Sequence, residues 1–354
     1  MNQKELTLRN LGDSLDSIMN LDPRGYGVCK ILYPAARAYT KAPLCTSFAE
    51  NLLKTVKEGD VVFILTGFVL LPFKKAEMDG IVSSVLLAGS LTKLGVKPVL
   101  ICPEENMKAA EKLAAVAGIH FYRTVEEVRK YPIAMAAIPF TKNMEEAKIQ
   151  AEKLAEEAPA AVIAIEAPGA NKKGVYHNAT GLDLSDLEAK TDILFSLLQQ
   201  RGVETFAVGD LGNEMGMGTL EETLINHIPY AGKDPCRCGC GGGIAAATKA
   251  KHILTATVSD WGVYAVMAAM AYLKGNLDLL HTPQTEKRAL YAASEAGMID
   301  MYGDLIPAID GMNEEMNVSI VSLMRELVRS TLKLPEICKE WFNRVERLGY
   351  FDEH

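Results

Sequence analysis

Residues 203–218, VETFAVGDLGNEMGMG, join a short apolar run to a loop that holds four glycines, two carboxylates and an amide. The apolar run is short and ends at a glycine, which is typical of a buried β-strand. Glycine gives up the most backbone entropy on ordering, so this many indicate a backbone that bends sharply or closely approaches another group. Because carboxylates lie among the glycines, we expect that group to be a cation.

The strand predicted at 203–208 has counterparts along most of the chain. Short apolar runs alternate with amphipathic helical patterns, and this alternation signals βαβ units and a mostly parallel sheet. The sequence therefore predicts an α/β fold with one doubly wound sheet. Its strands are expected at 61–66, 97–101, 119–123, 133–138, 160–165, 203–208 and 252–258.

Three regions are predicted from this pattern. Residues 1–45 have mixed composition and are interpreted as an N-terminal helical extension. Residues 46–280 hold the strand–helix alternation and form the α/β domain. Residues 281–354 form a C-terminal helical region packed on it, with its clearest helices at 318–334 and 336–349.

The composition is that of a globular protein with an acidic surface. The 354 residues are 49% hydrophobic and 23% charged, with a net charge of -8. Nonspecific nucleic-acid binding needs clustered Lys and Arg, so we expect no nucleic-acid partner. We find no secretory pattern and no apolar run of the roughly 20 residues that span a membrane, so we expect a cytoplasmic protein without membrane association. The oligomeric state stays open, with a homo-oligomer as one alternative.

The seven cysteines fall into two groups. Four lie among apolar neighbours, as expected for reduced thiols in a core: Cys29, Cys45, Cys102 and Cys338. The other three, Cys236, Cys238 and Cys240, have C-x-C-x-C spacing, which is tighter than the usual C-x-x-C zinc knuckle, and no fourth ligand is apparent. We interpret this stretch as a mobile glycine-rich loop with exposed thiols, with a soft-metal site as the alternative.

Polar residues follow four of the predicted strands, at the edge where an open parallel sheet binds its ligands. Carboxylates crowded in one crevice repel each other unless a cation neutralises them. Oxygen ligands favour hard cations over zinc, so the sequence predicts a divalent metal, Mn²⁺ or Mg²⁺, facing Asp210 and Glu214. In chain order the polar residues are Glu77, Asp79, Glu166, His177, Asn178, Asp183, Asp210, Asn213, Glu214, Ser259 and Asp260.

Structural roles are alternatives at several of these positions. Asp210 could cap a helix that begins near Met217, since aspartate is a common N-cap. Glu77 and Asp79 could be the first turn of the helix starting at Gly80, where negative charge favours the helix dipole. The dinucleotide-binding fingerprint and the phosphate loop ending in GK[ST] are both absent from the sequence.

Four segments together resemble the D-glutamate cyclase-like C-terminal domain family: TGF…AEMDG, EAPG…GVYHNATGLDLSDL…TDILF, VGDLGNEMGMG and VSDWGVYA. The resemblance covers roughly residues 45–275 and implies a three-layer α/β fold with an acidic pocket. It also implies conversion of D-glutamate to 5-oxo-D-proline, although some microbial members look like manganese-dependent phosphatases. The polar positions that match are Glu77, Asp79, Glu166, Asn178, Asp192, Asp210, Asn213, Glu214 and Asp260.

The sequence departs from the family pattern at four positions. Leu211 stands where the family usually has glycine, and Lys173 stands near a usual acidic residue. Ala167 and Ala170 stand where the family tends to have arginines, which weakens the expectation that a substrate anion is held in the family manner. Lys172 or Lys173 is an alternative partner for that anion.

These observations lead to one set of expected roles. We expect a metal-dependent enzyme that acts on a small acidic metabolite, with a manganese-dependent phosphatase-like hydrolase or a non-catalytic metabolite- or metal-binding protein as the alternatives. Expected catalytic residues are Glu77, Asp79, His177 and Glu214. Expected metal ligands are Asp210, Glu214, Glu166 and Asp79, and expected substrate-binding residues are Thr66, Gly67, Asn178, Asn213 and Asp260.

Overall fold

The computed structural model describes residues 3–232, 236–333 and 347–349. The helix predicted at 336–349 lies almost entirely outside these residues. The described helices are α1 Gln3–Met19, α2 Val28–Thr40, α3 Leu44–Thr55, α4 Ile81–Thr92, α5 Met107–Ala117, α6 Val125–Lys130, α7 Met144–Ala155, α8 Thr191–Gln200, α9 Glu221–His227, α10 Ser259–Lys274, α11 Pro283–Ala296 and α12 Glu314–Leu332. The described strands are β1 Val61–Thr66, β2 Val69–Leu70, β3 Lys75–Ala76, β4 Lys97–Cys102, β5 His120–Tyr122, β6 Ala134–Pro139, β7 Ala161–Ile165, β8 Glu204–Gly209 and β9 His252–Thr255.

Seven strands form one parallel sheet in the order β5-β6-β4-β1-β7-β8-β9. Helices flank the sheet, so the prediction of a three-layer, doubly wound α/β fold is confirmed. The chain runs from β1 to its neighbour β4, then to β5 at the edge of the sheet, then back to β6 between β4 and β5, and finally crosses to β7 on the other side of β1. This reversal makes a topological switch point between β1 and β7, where open α/β sheets bind ligands.

The four strands that precede the predicted polar loops are neighbours in the sheet. They are β1, β7, β8 and β9, which pair in that order. Every residue of β1 and β7 is buried, as expected for parallel strands covered on both faces. Because the strands are parallel, their carboxyl ends all open on the same edge, and the polar loops meet there.

The last strand ends earlier than predicted. It was expected over 252–258, but β9 stops at Thr255. Beyond it the chain turns away from the ladder, since the backbone N–H of Thr257 donates to the carbonyl of Met19 at 3.0 Å. The early end of β9 brings the start of α10 to the same edge of the sheet.

Helix α10 lies against the sheet and organises the helices at both ends of the chain. A Cβ atom on Gly262 would come within 2.5 Å of the side chain of Leu254 on β9, so glycine is needed for the close approach. Helices α1, α3 and α12 all contact α10, and Trp261 Nε1 donates to Asn317 Oδ1 on α12 at 2.7 Å. The helices from the N- and C-terminal regions thus pack on the α/β domain, while the predicted boundaries at 45 and 280 stay predictions. In the described part of the chain we find no helix with the length and apolar character needed to cross a bilayer.

Candidate active site

Seven buried carboxyl groups gather at the carboxyl ends of β1, β7, β8 and β9, and we call them the acidic centre. An oxygen from each of Asp79, Asp210 and Asp310 lies within 4.8 Å of the others. The same holds for Glu166, Asp210 and Glu214, so Asp210 belongs to both groups. The loops identified in the sequence thus converge as the topology requires. The members of the acidic centre are Glu77, Asp79, Glu166, Asp210, Glu214, Asp260 and Asp310.

The glycine-rich loop after β8 folds around its own glutamate. The Glu214 carboxylate accepts backbone N–H bonds from Asp210 at 3.1 Å, Leu211 at 2.6 Å and Gly212 at 2.6 Å. Gly212 has a φ of 99°, which disfavours any residue with a Cβ. A Cβ on Gly209 would lie 2.8 Å from a Glu214 oxygen. The glycines therefore let successive N–H groups point inward at an anion, and that anion is Glu214 itself.

Two aspartates cap two helices reciprocally: Asp79, beside α4, caps α10, and Asp260, in α10, caps α4. Asp79, which precedes α4, accepts backbone N–H bonds from Ser259 at 3.1 Å and Asp260 at 2.9 Å, at the start of α10. Asp260 accepts backbone N–H bonds from Gly80 at 2.9 Å and Ser83 at 3.2 Å, at the start of α4. This exchange satisfies donors that a helix start leaves unpaired. Asp79 and Asp260 thereby fix both helix N-termini against the acidic centre.

Glu166 lies at the switch point in a strained conformation. Its φ is 41°, a region that costs a residue with a Cβ on the order of 1–3 kcal/mol. Its backbone carbonyl accepts the N–H of Gly67 at 3.0 Å, and Ser259 Oγ donates to Oε2 at 2.6 Å. A Cβ on Gly80 would lie 2.6 Å from both Glu166 Cβ and Thr66 Oγ1. The strand ends and the start of α4 therefore meet without room for a larger residue.

Arg24, which the sequence reasoning missed, brings a positive charge into the acidic centre from the loop between α1 and α2. Its guanidinium lies 3.3 Å from Asp210 and 2.8 Å from Asp310, and its side chain is 6% exposed. It also donates to the carbonyl of Thr257. Asp310 was missed as well. Neither residue follows a strand, so the pattern that found the other carboxylates carried no signal for them.

Burial raises the pKa of four carboxyl groups in the acidic centre well above their usual range, and the charges of neighbouring carboxylates raise it further. The four are Glu77, Asp79, Glu166 and Asp210. Burial also raises the pKa of Asp260 to about 7, against the hydrogen bonds from Ser83 and Gly80. One guanidinium does not offset this many negative charges. The acidic centre therefore either holds protons at neutral pH or takes up a further cation.

The oxygen-only donor set fits Mg²⁺ or Mn²⁺. A carboxylate has about four lone-pair sites. Three backbone N–H groups already donate to the Asp79 carboxylate, and three others donate to the Glu214 carboxylate. Among the described residues, one side-chain donor reaches Glu166, from Ser259, and one reaches Asp210, from Arg24. Glu166 and Asp210 therefore have the most oxygen lone pairs left for a cation.

The predicted substrate-binding residues differ in what they contact. Thr66 Oγ1 and Asn213 Oδ1 are buried and have no hydrogen-bond partner among the described residues. Asn213 Nδ2 donates to the carbonyl of His177 at 3.0 Å. Asn178 is partly exposed, and its Oδ1 accepts from the N–H groups of Thr180 and Leu182 within its own turn. Thr66 and Asn213 thus offer unused polar atoms, whereas Asn178 stabilises a turn.

Three other candidates have their described contacts outside the acidic centre. His177 Nε2 lies 3.0 Å from Cys238 Sγ, so a proton-accepting role for this ring stays a prediction. Asp192 accepts hydrogen bonds from Tyr176 at 2.5 Å and from the N–H of Ala170 at 3.1 Å, which fastens the loop after β7. Lys172, the alternative partner for a substrate anion, is 66% exposed and pairs with Glu221.

Comparison with known proteins agrees with the resemblance seen in the sequence. A family model described as D-glutamate cyclase-like, C-terminal, matches residues 15–325. Human mitochondrial D-glutamate cyclase is 34% identical over 113 residues, which are 32% of this chain and 17% of that protein. The match to the human protein therefore covers a small part of its length.

Proposed function

The chain belongs to the D-glutamate cyclase-like, C-terminal family, and from that premise we propose that it converts D-glutamate to 5-oxo-D-proline and water in the acidic centre. The observation that carries the proposal is the pair of buried carboxylates with unused lone pairs, Glu166 at the switch point and Asp210 beside it at the end of β8. Buried carboxyls with raised pKa values at such a position are typical of a site that moves protons.

The reaction forms a C–N bond and breaks a C–O bond. The α-amino nitrogen of D-glutamate attacks its own γ-carboxyl carbon, and one γ-carboxyl oxygen leaves. The ammonium group gives up two protons to become the ring amide N–H, and the departing oxygen takes up two protons to leave as water. The site must therefore accept protons from nitrogen and deliver protons to oxygen within one small pocket.

Buried carboxyl groups of the acidic centre are suited to both tasks. Burial and the charges of neighbouring carboxylates raise the pKa of Glu77, which favours uptake of a proton by this carboxyl group. The Glu77 carboxylate accepts one proton from the ammonium group and delivers it to the leaving oxygen, and a second transfer by the same route completes the water molecule, so that Glu77 ends as it began. Ser259 holds Glu166 by a 2.6 Å hydrogen bond, which fixes the orientation of the carboxyl group. Proton transfer of this kind contributes about 10²- to 10⁴-fold to rate.

A divalent cation fits the same residues. We infer that Glu166 and Asp210 hold Mn²⁺ or Mg²⁺, with the remaining lone pair of Glu214 as a further ligand. When bound, such an ion withdraws charge from the γ-carboxylate, which is a poor electrophile without it. Thr66 and Asn213 offer their unpartnered oxygens to the substrate, and Arg24 supplies a positive charge for its α-carboxylate.

Hydrolysis of a phosphomonoester is less well supported by the structure. Helix N-termini bind phosphate through free N–H groups. At the starts of α4 and α10, Asp260 and Asp79 already accept from those N–H groups. Phosphatase activity is therefore kept as an alternative result of the experiment that follows.

The test supplies D-glutamate, L-glutamate and a simple phosphomonoester to the full chain, with Mn²⁺, with Mg²⁺ and with chelator. We expect 5-oxoproline from D-glutamate only when the metal is present. Asp210→Asn should lower kcat/KM by about 100-fold or more, because it removes an anionic ligand of the metal. Asp186→Asn, at an exposed position, is the matched control and should leave the rate unchanged.

Two results would contradict the cyclase proposal. Phosphomonoester hydrolysis that Asp210→Asn abolishes, without 5-oxoproline formation, would assign the site to the hydrolase alternative. Tight Mn²⁺ binding that depends on Asp210, with turnover of neither substrate, would assign it to a metal- or metabolite-binding protein.

A further inference from the structure

Three cysteines and one histidine lie together outside the acidic centre, and we call them the thiol–imidazole cluster: His177, Cys236, Cys238 and Cys240. One ligand atom from each lies within 4.8 Å of all the others. Cys236 Sγ is 3.3 Å from both Cys238 Sγ and Cys240 Sγ. His177 Nε2 is 3.0 Å from Cys238 Sγ and 3.8 Å from Cys240 Sγ. The fourth ligand that the sequence did not reveal is thus present in the fold.

These separations are close to those of a tetrahedral zinc site. With Zn–S near 2.3 Å and Zn–N near 2.05 Å, tetrahedral geometry places two sulfurs about 3.8 Å apart and a sulfur and a nitrogen about 3.5 Å apart. The observed distances of 3.0 to 3.8 Å lie about half an ångström or less from those values. A disulfide requires sulfurs about 2.05 Å apart, so none is formed, and the three cysteines are free thiols.

The surroundings supply hydrogen bonds to the sulfurs, as expected for thiolate ligands. The N–H of Cys240 donates to Cys238 Sγ at 3.4 Å, and the N–H of Gly242 donates to Cys240 Sγ at 3.3 Å. Asn171 Nδ2 also donates to Cys240 Sγ at 3.4 Å. Groups that orient metal ligands in this way are a regular part of metal sites. In all three hydrogen bonds an N–H group donates to a cysteine sulfur, as it would to a thiolate, whereas a neutral S–H group is only a weak donor and acceptor.

We propose that His177, Cys236, Cys238 and Cys240 bind a structural Zn²⁺ ion. Three soft thiolates and one imidazole select zinc, whereas the oxygen ligands of the acidic centre select hard cations. Because all four tetrahedral positions come from the protein, the site has no open position for a substrate, which is the mark of a structural site.

The zinc ion connects the cysteine loop to the wall of the acidic centre. His177 belongs to the loop after β7, and its carbonyl accepts the hydrogen bond from Asn213 in the glycine-rich loop. The cysteine loop and the loop after β7 are also joined by the N–H of Arg237, which donates to the carbonyl of Gly181 at 2.9 Å. A metal that fixes His177 therefore fixes one anchor of the loop that carries Asp210 and Glu214.

One feature of the site limits its affinity. When Nε2 of His177 binds the metal, the ring proton lies on Nδ1, and Nδ1 is buried without a hydrogen-bond partner among the described residues. Loss of such a partner typically costs 10- to 100-fold in metal affinity. We therefore expect zinc that survives dialysis but is removed by a strong chelator.

The experiment measures metal content and fold in the full chain. Protein purified under reducing conditions and dialysed is expected to hold stoichiometric zinc by elemental analysis. Replacement by Co²⁺ should give the thiolate-to-cobalt charge-transfer band and the strong visible absorption of a tetrahedral site. Cys238→Ser, at an exposed cysteine, and His177→Gln should each lose the zinc while circular dichroism shows a retained fold.

Matched controls separate this site from the rest of the chain. Cys29→Ser changes a cysteine in α2, and His227→Gln changes an exposed histidine in α9, and both should retain zinc. Asp210→Asn should also retain it, which makes the result independent of the proposed reaction. The proposal is overturned if dialysed protein holds no zinc, if it holds an iron–sulfur cluster instead, or if mass spectrometry finds a disulfide among the three cysteines in the reduced preparation.

Discussion

Replacing Arg24 by methionine tests whether the acidic centre depends on a buried cation. The guanidinium lies 3.3 Å from Asp210 and 2.8 Å from Asp310, with its side chain 6% exposed. At an effective dielectric constant of about 20, two such pairs attract with about 5 and 6 kcal/mol before desolvation is subtracted. Desolvation offsets much of that attraction, but methionine would leave two buried carboxylates unpaired. Breaking a buried pair in this way costs about 3–5 kcal/mol.

We therefore expect Arg24→Met to lower the free energy of unfolding by about 3–5 kcal/mol in urea at pH 8. The loss should be smaller at pH 5, because burial raises the pKa of Asp210 and a protonated carboxyl needs no cation. The control is Arg9→Met, which removes an exposed pair between Arg9 and Asp13 and should change stability by less than about 1 kcal/mol.

The same variant reports on the metal. If a divalent ion binds the acidic centre, Mn²⁺ should stabilise Arg24→Met more than it stabilises the wild type, because the ion then supplies the missing positive charge. Ion at 100 times its dissociation constant would restore about 2.7 kcal/mol. The reasoning is refuted if Arg24→Met unfolds at the same urea concentration as the wild type at both pH values.

Two further predictions concern single buried groups. Burial raises the pKa of Glu188 from 4.5 to about 8, so the stability it contributes is present below pH 4.5 and is lost, by up to roughly 5 kcal/mol, as pH rises through 8. Glu188→Gln keeps an acceptor for the N–H of Val69 and should unfold at a higher urea concentration than the wild type at pH 9 but not at pH 4. The prediction is contradicted if the free energy of unfolding changes with pH equally in the variant and the wild type. Gly209→Ala should push the Glu214 carboxylate aside and abolish 5-oxoproline formation, whereas Gly118→Ala, where a Cβ meets nothing within 4 Å, should cost about 1–2 kcal/mol of strain with activity intact.

The position of the acidic loops followed from the sequence because it depends on local patterns. Short apolar runs that end in glycine and acidic residues identify strands and the loops after them, and parallel pairing then brings the loops to one edge. The roles of individual side chains did not follow. Asp79 does lie beside the start of α4, close to the position that one alternative gave it, but its carboxylate also caps α10, a helix 180 residues further along the chain.

Residues that reach the site from distant irregular segments gave no signal. Arg24 contacts a carboxylate 186 positions away, and His177 contacts a cysteine 61 positions away. Neither contact has a sequence period or a fixed spacing that could reveal it. The three cysteines were visible as a spacing, but the ligand that completes their cluster comes from a loop whose place depends on the sheet order.

The glycine-rich loop after β8 connects the two proposed sites. Its backbone N–H groups are bound by Glu214, so the loop does not need an external anion to hold its shape. Its amide side chain, Asn213, donates to the carbonyl of His177. Zinc bound at His177 would therefore restrain the loop from one side, while Glu214 restrains it from within. The backbone of Asp210 is therefore fixed without help from its own carboxylate. The carboxylate oxygens contact Arg24 and stay available to a cation or a proton.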